Sequence, residues 1–303
     1  KRSSSFAWTE LGPIGAPASF GGAGRINAVR FDPTNSDVVY GCAPAGGLWK
    51  TTDGGTSWTN NNDFLSVIGC SDLAIDPSNP QVLYLATGDN DAGDTQSIGV
   101  LKSTDGGLTW NTTGLVWTPA QSRRIFRLLI DPINHQTLYA GTNNGIYKTT
   151  NGGTTWSQIS GISVVDMEFN AADNNTLYAC GQRFYRSNNG GGTWTPITAG
   201  TPPSIAVSRL AIAVTPADPN MVYLVAGAAG SNGFYAMYRS DDAGNSFALQ
   251  SSSPNLLGWD VDGNDNDGQA WYTLSVAASP IDPYQVVVGG VNIWRSDDGG
   301  VNW

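Results

Sequence analysis

Thr51-Thr52-Asp53-Gly54-Gly55-Thr56-Ser57-Trp58 is the stretch whose reading decides the fold. Its pattern is a Ser or Thr, then Asp two on, Gly four on and an aromatic seven on. It returns at Ser103 to Trp110, Thr149 to Trp156, Ser187 to Trp194, Ser240 to Phe247 and Ser296 to Trp303. A short loop that reverses a β-hairpin needs a side-chain oxygen for its turn N–H groups and a glycine for positive φ, and Asp and Gly supply them. The aromatic residue opens the next strand and buries its ring beside the turn. Asn151 and Asn189 replace the Asp in the third and fourth copies, keeping an acceptor oxygen and losing the charge. The six positions Asp53, Asp105, Asn151, Asn189, Asp242 and Asp298 are therefore assigned to hydrogen bonding rather than to catalysis or metal ligation.

Reading outward, the same unit surrounds each turn. In the first it runs as a strand from Arg25 to Phe31, a turn from Asp32 to Asp37, a strand from Val38 to Cys42, a loop from Ala43 to Gly47 and a strand from Leu48 to Thr51. A fourth strand starts at Trp58. Later second strands carry Tyr84, Tyr139, Tyr178, Tyr223 and Val287. Successive turn aromatics lie 38 to 56 residues apart, which is the length of four short strands plus loops. Repetition at this length, with four antiparallel strands per unit, predicts an all-β fold, a β-propeller with six readable blades. The expectation is a single domain over 1–303, with blades near 12–60, 61–113, 114–159, 160–198, 199–250 and 251–303. Apolar first strands such as Leu128-Leu129-Ile130 suit the innermost position, covered on both faces. No helix-period pattern is visible.

Both ends depart from the repeat. Phe6-Ala7-Trp8-Thr9-Glu10-Leu11 reads like a fourth strand without a blade before it, and Trp303 opens a fourth strand that is not written. Either 6–11 completes the sixth blade, or the natural chain continues into a ring of seven to ten blades. Continuation is favoured, because Trp303 already holds the fourth-strand position.

Composition fits a turn-rich β protein: 40% hydrophobic, only 13% charged, with Lys at just four positions. A net charge of −10 with no basic stretch opposes a phosphate backbone, so nucleic acid is excluded as a partner. No apolar run approaches the ~18 residues of a membrane span. The chain starts at Lys1 without a signal sequence, and a mature or excised fragment is expected. Aligned repeats put Cys42 and Cys70 at the same end of neighbouring sheets, where one bridge is compatible with the spacing, and leave Cys180 free. A bridge would fit an exported protein.

If each first strand runs down from the mouth, the Asp-Pro turns and the repeated boxes lie at the bottom. The second-to-third and fourth-to-first loops then lie on top, where function is expected. Two top loops stand out. One carries Asp89, Asp91 and Asp94; the other carries Asp260, Asp262, Asn264 and Asp267. Oxygen-rich alternation suits a hard cation, so Ca²⁺ is the candidate cofactor, against the alternative of solvated acidic turns. Asp265 stands where an EF-hand requires glycine. Trp117 and Trp259 are candidate sugar contacts, with Asp89 and Asp91 as hydroxyl partners, whereas Trp271 is expected to pack a loop.

Arg25 and Arg124 align at the heads of first strands, Arg209 lies one residue off, and Tyr272 aligns at the same height. Three guanidinium groups could clamp a carboxylate. Glu168, one of two glutamates able to activate the tyrosine, lies five positions down its strand, about 16 Å at ~3.3 Å per residue. The single His135 makes a Ser-His-Asp triad unsuitable.

The repeated box resembles the Asp-box (BNR) repeat of sialidases, sortilin-type receptors and xyloglucanase-type glycoside hydrolases. Gly24-Arg25-Ile26-Asn27, Gly46-Gly47-Leu48-Trp49-Lys50 and Gly268-Gln269-Ala270-Trp271-Tyr272 are most similar to large bacterial proteins exported by the type IX route. Two departures bear on activity. The sialidase Arg-Ile-Pro motif lacks its proline at Arg25-Ile26-Asn27. The resemblance to xyloglucanases also implies a catalytic Asp before the Gly-Gly of the first blade, where this chain has Pro44. The reading is a secreted or cell-surface module that binds glycan or an extracellular protein. A glycoside hydrolase and a structural subunit of a surface assembly are the alternatives.

Overall fold

The computed structural model describes residues 24–60, 62–91 and 95–303. Phe6 to Leu11, with Glu10, and Asp94 lie outside the described residues. The fold is an all-β, six-bladed propeller of antiparallel blades with almost no helix. The chain divides into two compact units, 1–122 and 123–303.

The first unit holds two blades. Blade one is β1 (Ala28–Phe31), β2 (Val39–Ala43), β3 (Gly47–Thr51) and β4 (Thr59–Asn60); blade two is β5 (Cys70–Ile75), β6 (Leu83–Thr87), β7 (Gly99–Ser103) and β8 (Asn111–Val116). Strands pair in chain order, and the first strands of the two blades are neighbours. Cys42 and Cys70, both fully buried, form a disulfide from one blade to the next.

The second unit holds the other four. Blade three is β9 (Ile125–Ile130), β10 (Leu138–Thr142), β11 (Gly145–Thr149) and β12 (Ser157–Ser160). Blade four is β13 (Asp166–Phe169), β14 (Leu177–Cys180), β15 (Phe184–Ser187) and β16 (Thr195–Pro196). Blade five is β17 (Val207–Val214), β18 (Val222–Ala228), β19 (Phe234–Ser240) and β20 (Ala248–Ser251). Blade six has β21 (Ser275–Ala278), β22 (Val286–Gly289) and β23 (Ile293–Ser296) among the described residues. First strands again neighbour one another, β9 with β13, β13 with β17 and β17 with β21.

The second-strand tyrosine fixes a common register. Tyr40, Tyr84, Tyr139, Tyr178 and Tyr223 face Arg30, Ala74, Leu129, Glu168 and Ala213 of their first strands. Coverage differs from the sequence expectation. The second strands β2, β6, β10 and β14 are buried throughout; among first strands β5 is buried nearly throughout, whereas β9 is buried only at Ile125 and Leu128 and β1 is half open. A second strand is flanked by two strands of its own sheet, while a first strand has one free edge and carries charged side chains such as Arg30 and Arg127.

The repeated box closes as its residue types dictate. In the first copy Thr51 Oγ1 donates to Asp53 Oδ1 (2.7 Å) and accepts from Gly55 N–H (2.9 Å). Ser57 donates its N–H to Asp53 Oδ1 (2.9 Å) and its hydroxyl to Oδ2 (2.6 Å). In the third copy Asn151 Oδ1 still accepts Thr155 N–H (2.9 Å), but Nδ2 now donates to Thr155 Oγ1 (2.9 Å). A hydroxyl serves either role, which is why Asp and Asn interchange. The Asp-Pro turns follow the same logic. Asp32, Asp76, Asp131, Asn170 and Thr215 each accept the N–H two residues on.

A basic residue precedes each box; Lys50, Lys148 and Arg186 fasten the next blade, whereas Arg239 and Arg295 bond to Asp241 and Asp297 of their own boxes. Lys50 Nζ donates to Gly106 O (3.0 Å), and Arg186 Nε donates to Ala243 O (2.9 Å). Tyr178 adds its hydroxyl to the latter carbonyl at 3.0 Å. One short helical turn, α1 (Ala270–Thr273), interrupts the β pattern, where the sequence showed no helix. It packs Ala270 against Gly227, at which a Cβ would approach the Ala270 Cβ to 2.3 Å.

Candidate ligand-binding face

In the first unit the candidate residues at the head of β1 neutralise one another. The Arg25 guanidinium is paired with Asp89, whose side chain is buried, and lies 3.9 Å from Asp91. Asp89 Oδ1 also accepts the Asp91 N–H (3.1 Å). Arg25 thus serves the loop's own carboxylates, which gives the carboxylate clamp and the Asp89–Asp91 ligand pair a local structural partner each. Trp117 is only 9% exposed, so its ring offers no stacking face.

In the second unit the acidic loop before α1 is organised by two asparagines. Asn255 Nδ2 donates to the carbonyls of Asp265 and Asp267 (both 3.0 Å), and its Oδ1 accepts Phe234 N–H (2.7 Å). Asn292 Nδ2 donates to Asp260 O (3.2 Å). Asp265 Oδ2 accepts the N–H groups of Trp259 (2.6 Å) and Asp260 (3.2 Å). Oxygens that a cation would need therefore accept hydrogen bonds from within the loop. Asp262, Asn264 and Asp267 point to solvent. Among the described residues no three His, Cys, Asp or Glu side chains converge.

This loop and α1 present aromatic rings. Trp259 is 50% and Trp271 49% exposed, so Trp271 does not pack its loop down as expected. Its ring lies 5.0 Å from that of Tyr272, centroid to centroid. Arg209 Nη1 donates to Trp271 O (3.2 Å), tying the head of β17 to α1. Tyr272 sits on α1 rather than at the head of β21. Arg124 stacks on Phe126 at 5.6 Å, and its N–H donates to Asn143 Oδ1 (3.0 Å).

Further down the first strands, Arg127 pairs with Glu168 and lies 3.6 Å from Asp166. Asp166 Oδ2 accepts Ile212 N–H of the next blade (2.9 Å). Glu168 is thus held by a guanidinium instead of facing Tyr272. Cys180 lies behind this group with its thiol pushed well up, first by burial and then by Asp166. Sequence reasoning passed over Arg127 and Asp166, although Asp72 and Asp166 share a repeat position, and Asp72 likewise pairs with Arg30 of the preceding blade.

A xyloglucanase of Paenibacillus sp is 31% identical over 152 residues, covering 46% of this chain. The chain is similar to xyloglucanases. It spans only 15% of that relative's length. A GH74 enzyme of Niastella koreensis superposes with a TM-score of 0.69 at 25% identity, over 90% of this chain and 45% of that one. YCF48 from Cyanidioschyzon merolae superposes at 0.60 with 20% identity, over 91% and 83% of the two chains, a likeness of fold alone. No protein-family model matches the chain.

Proposed function

We propose that this chain is a propeller of a xyloglucanase-like glycoside hydrolase that engages a β-linked glucan. The observation that carries this reading is the 31% identity to a xyloglucanase over 152 residues. The half-exposed rings of Trp259 and Trp271 support it, because an indole face suits the apolar face of a pyranose while nearby amides and carboxylates bond hydroxyls. The Cys42–Cys70 disulfide agrees with an extracellular setting, where such bridges persist.

Pro44 favours a second reading, a module that grips glucan without cutting it. It stands in the β2–β3 turn where the resemblance implies a catalytic Asp, and it has no proton to transfer. The one glutamate of the second unit, Glu168, is held by Arg127. Glycoside hydrolysis needs two carboxyls at a suitable separation. Incubation with xyloglucan, followed by mass spectrometry of soluble oligosaccharides, separates the two. Released oligosaccharides support the hydrolase. Retention without release supports the binding module. Neither retention nor release on xyloglucan removes both.

A further inference from the structure

The loop that presents Trp259 holds this residue on both sides. The Trp259 N–H donates to Asp265 Oδ2 (2.6 Å), which also accepts the Asp260 N–H (3.2 Å). The Trp259 carbonyl oxygen lies 3.4 Å from Asn292 Nδ2, an amide that donates to Asp260 O at 3.2 Å. Asn255 N–H closes on Gly263 O and Gly263 N–H on Asp260 O, both at 3.0 Å. These bonds order the backbone of a residue that is itself 50% exposed.

Asp265 differs from the acids of the repeated box. Where Asn replaces Asp in a box, the partner is a hydroxyl that either donates or accepts, as Thr155 does for Asn151. The partners of Asp265 are two backbone N–H groups and Asn255 Nδ2 (3.1 Å), all of them donors. That amide cannot turn over, because Asn255 Oδ1 accepts the N–H groups of Phe234 (2.7 Å) and Leu257 (3.3 Å). Asp265→Asn therefore sets an NH2 against one of these donors whichever way its amide lies. Gly258 leaves room for the carboxylate, since a Cβ there would stand 2.0 Å from Asp265 Oδ1.

We propose that Asp265 is a positioning residue whose carboxylate fixes the backbone of Trp259, and with it the direction in which the indole projects as a platform for a pyranose. A platform ordered before the ligand arrives binds without the cost of ordering it on contact. That the ligand is a glucan rests on the function proposed above; that Asp265 fixes the ring does not.

The test has two arms. In the first, 5-fluorotryptophan is incorporated, and the Trp259 fluorine resonance is identified by its loss in Trp259→Ala. It is compared, without ligand, between the parent chain, Asp265→Asn and Gly258→Ala. The Trp259 line is expected to shift or broaden in both variants while the other lines stay in place. An unmoved Trp259 line overturns the proposal, and so does movement of every line, which marks a change of the whole fold. In the second arm, calorimetry with xyloglucan oligosaccharides follows Asp265→Asn, Trp259→Ala and the double variant. Asp265→Asn is expected to weaken binding by no more than the roughly tenfold of Trp259→Ala, and the double variant to bind no worse than Trp259→Ala alone. Unchanged affinity in Asp265→Asn, or losses that add, overturns the proposal. Absence of xyloglucan binding by the parent overturns the glucan reading, and the fluorine arm then decides the role of Asp265 by itself.

Discussion

Lys148 Nζ donates to the carbonyl oxygen of Gly190, in the box of the next blade, at 2.9 Å. The Tyr139 hydroxyl donates to the same oxygen at 2.9 Å, and its ring lies 5.0 Å beneath the ammonium. Lys148→Met keeps the apolar stem and removes the charge. Because Tyr139 still satisfies the carbonyl, the expected cost is about 1 kcal/mol, read as a lower urea midpoint with an unchanged slope.

The box carboxylates work as acceptors, so Asp105→Asn is expected to leave the urea midpoint nearly unchanged. Asp105→Ala leaves Thr109 N–H and the Ser103 hydroxyl without their acceptor and is expected to lower it. Parallel urea titrations of the two variants check the difference.

Ala243 sits at φ 56° where the other five boxes have glycine, for example Gly54 at φ 67°. The left-handed region costs an L-residue roughly 1–2 kcal/mol, part of which glycine returns as unfolded-state entropy. Ala243→Gly is expected to raise stability by about 0.5 kcal/mol, seen as a higher melting temperature.

Acid and base act on different parts of the repeat. Hydrogen bonds from Ser57 and Thr109 pull Asp53 and Asp105 down to about 2. Their contribution is complete above the ordinary carboxylate value near 4 and disappears as pH falls through about 2. Burial pushes Tyr40, Tyr139 and Tyr223 up to about 12. Their contribution is complete below the ordinary value near 10 and is lost as pH rises through about 12. Melting temperature against pH should therefore fall below pH 4 and above pH 10, and tyrosinate absorbance should rise later than in the unfolded chain.

The fold was legible because it is written repeatedly: box, strand tyrosine and Asp-Pro turn recur with acceptors exchanged for acceptors. The basic residue before each box was equally visible, since three of the four lysines, Lys50, Lys102 and Lys148, stand there. Its role was missed because the partner of Lys50, Lys148 and Arg186 is a backbone carbonyl one blade away. The binding face was less legible. Arg25 and Asp89 each looked available for a ligand, and only the folded chain pairs them. Trp117 and Trp259 read alike as residues outside the repeat, but burial, which separates them, depends on how each long loop closes.

The central claim is tested most directly by electrophoresis through a native gel containing xyloglucan, with Trp259→Ala beside the parent chain. The parent is expected to be retarded relative to a gel without polysaccharide, and the variant to show a dissociation constant about tenfold higher, as loss of an exposed aromatic contact would give. Identical migration of the parent chain in both gels would contradict the account.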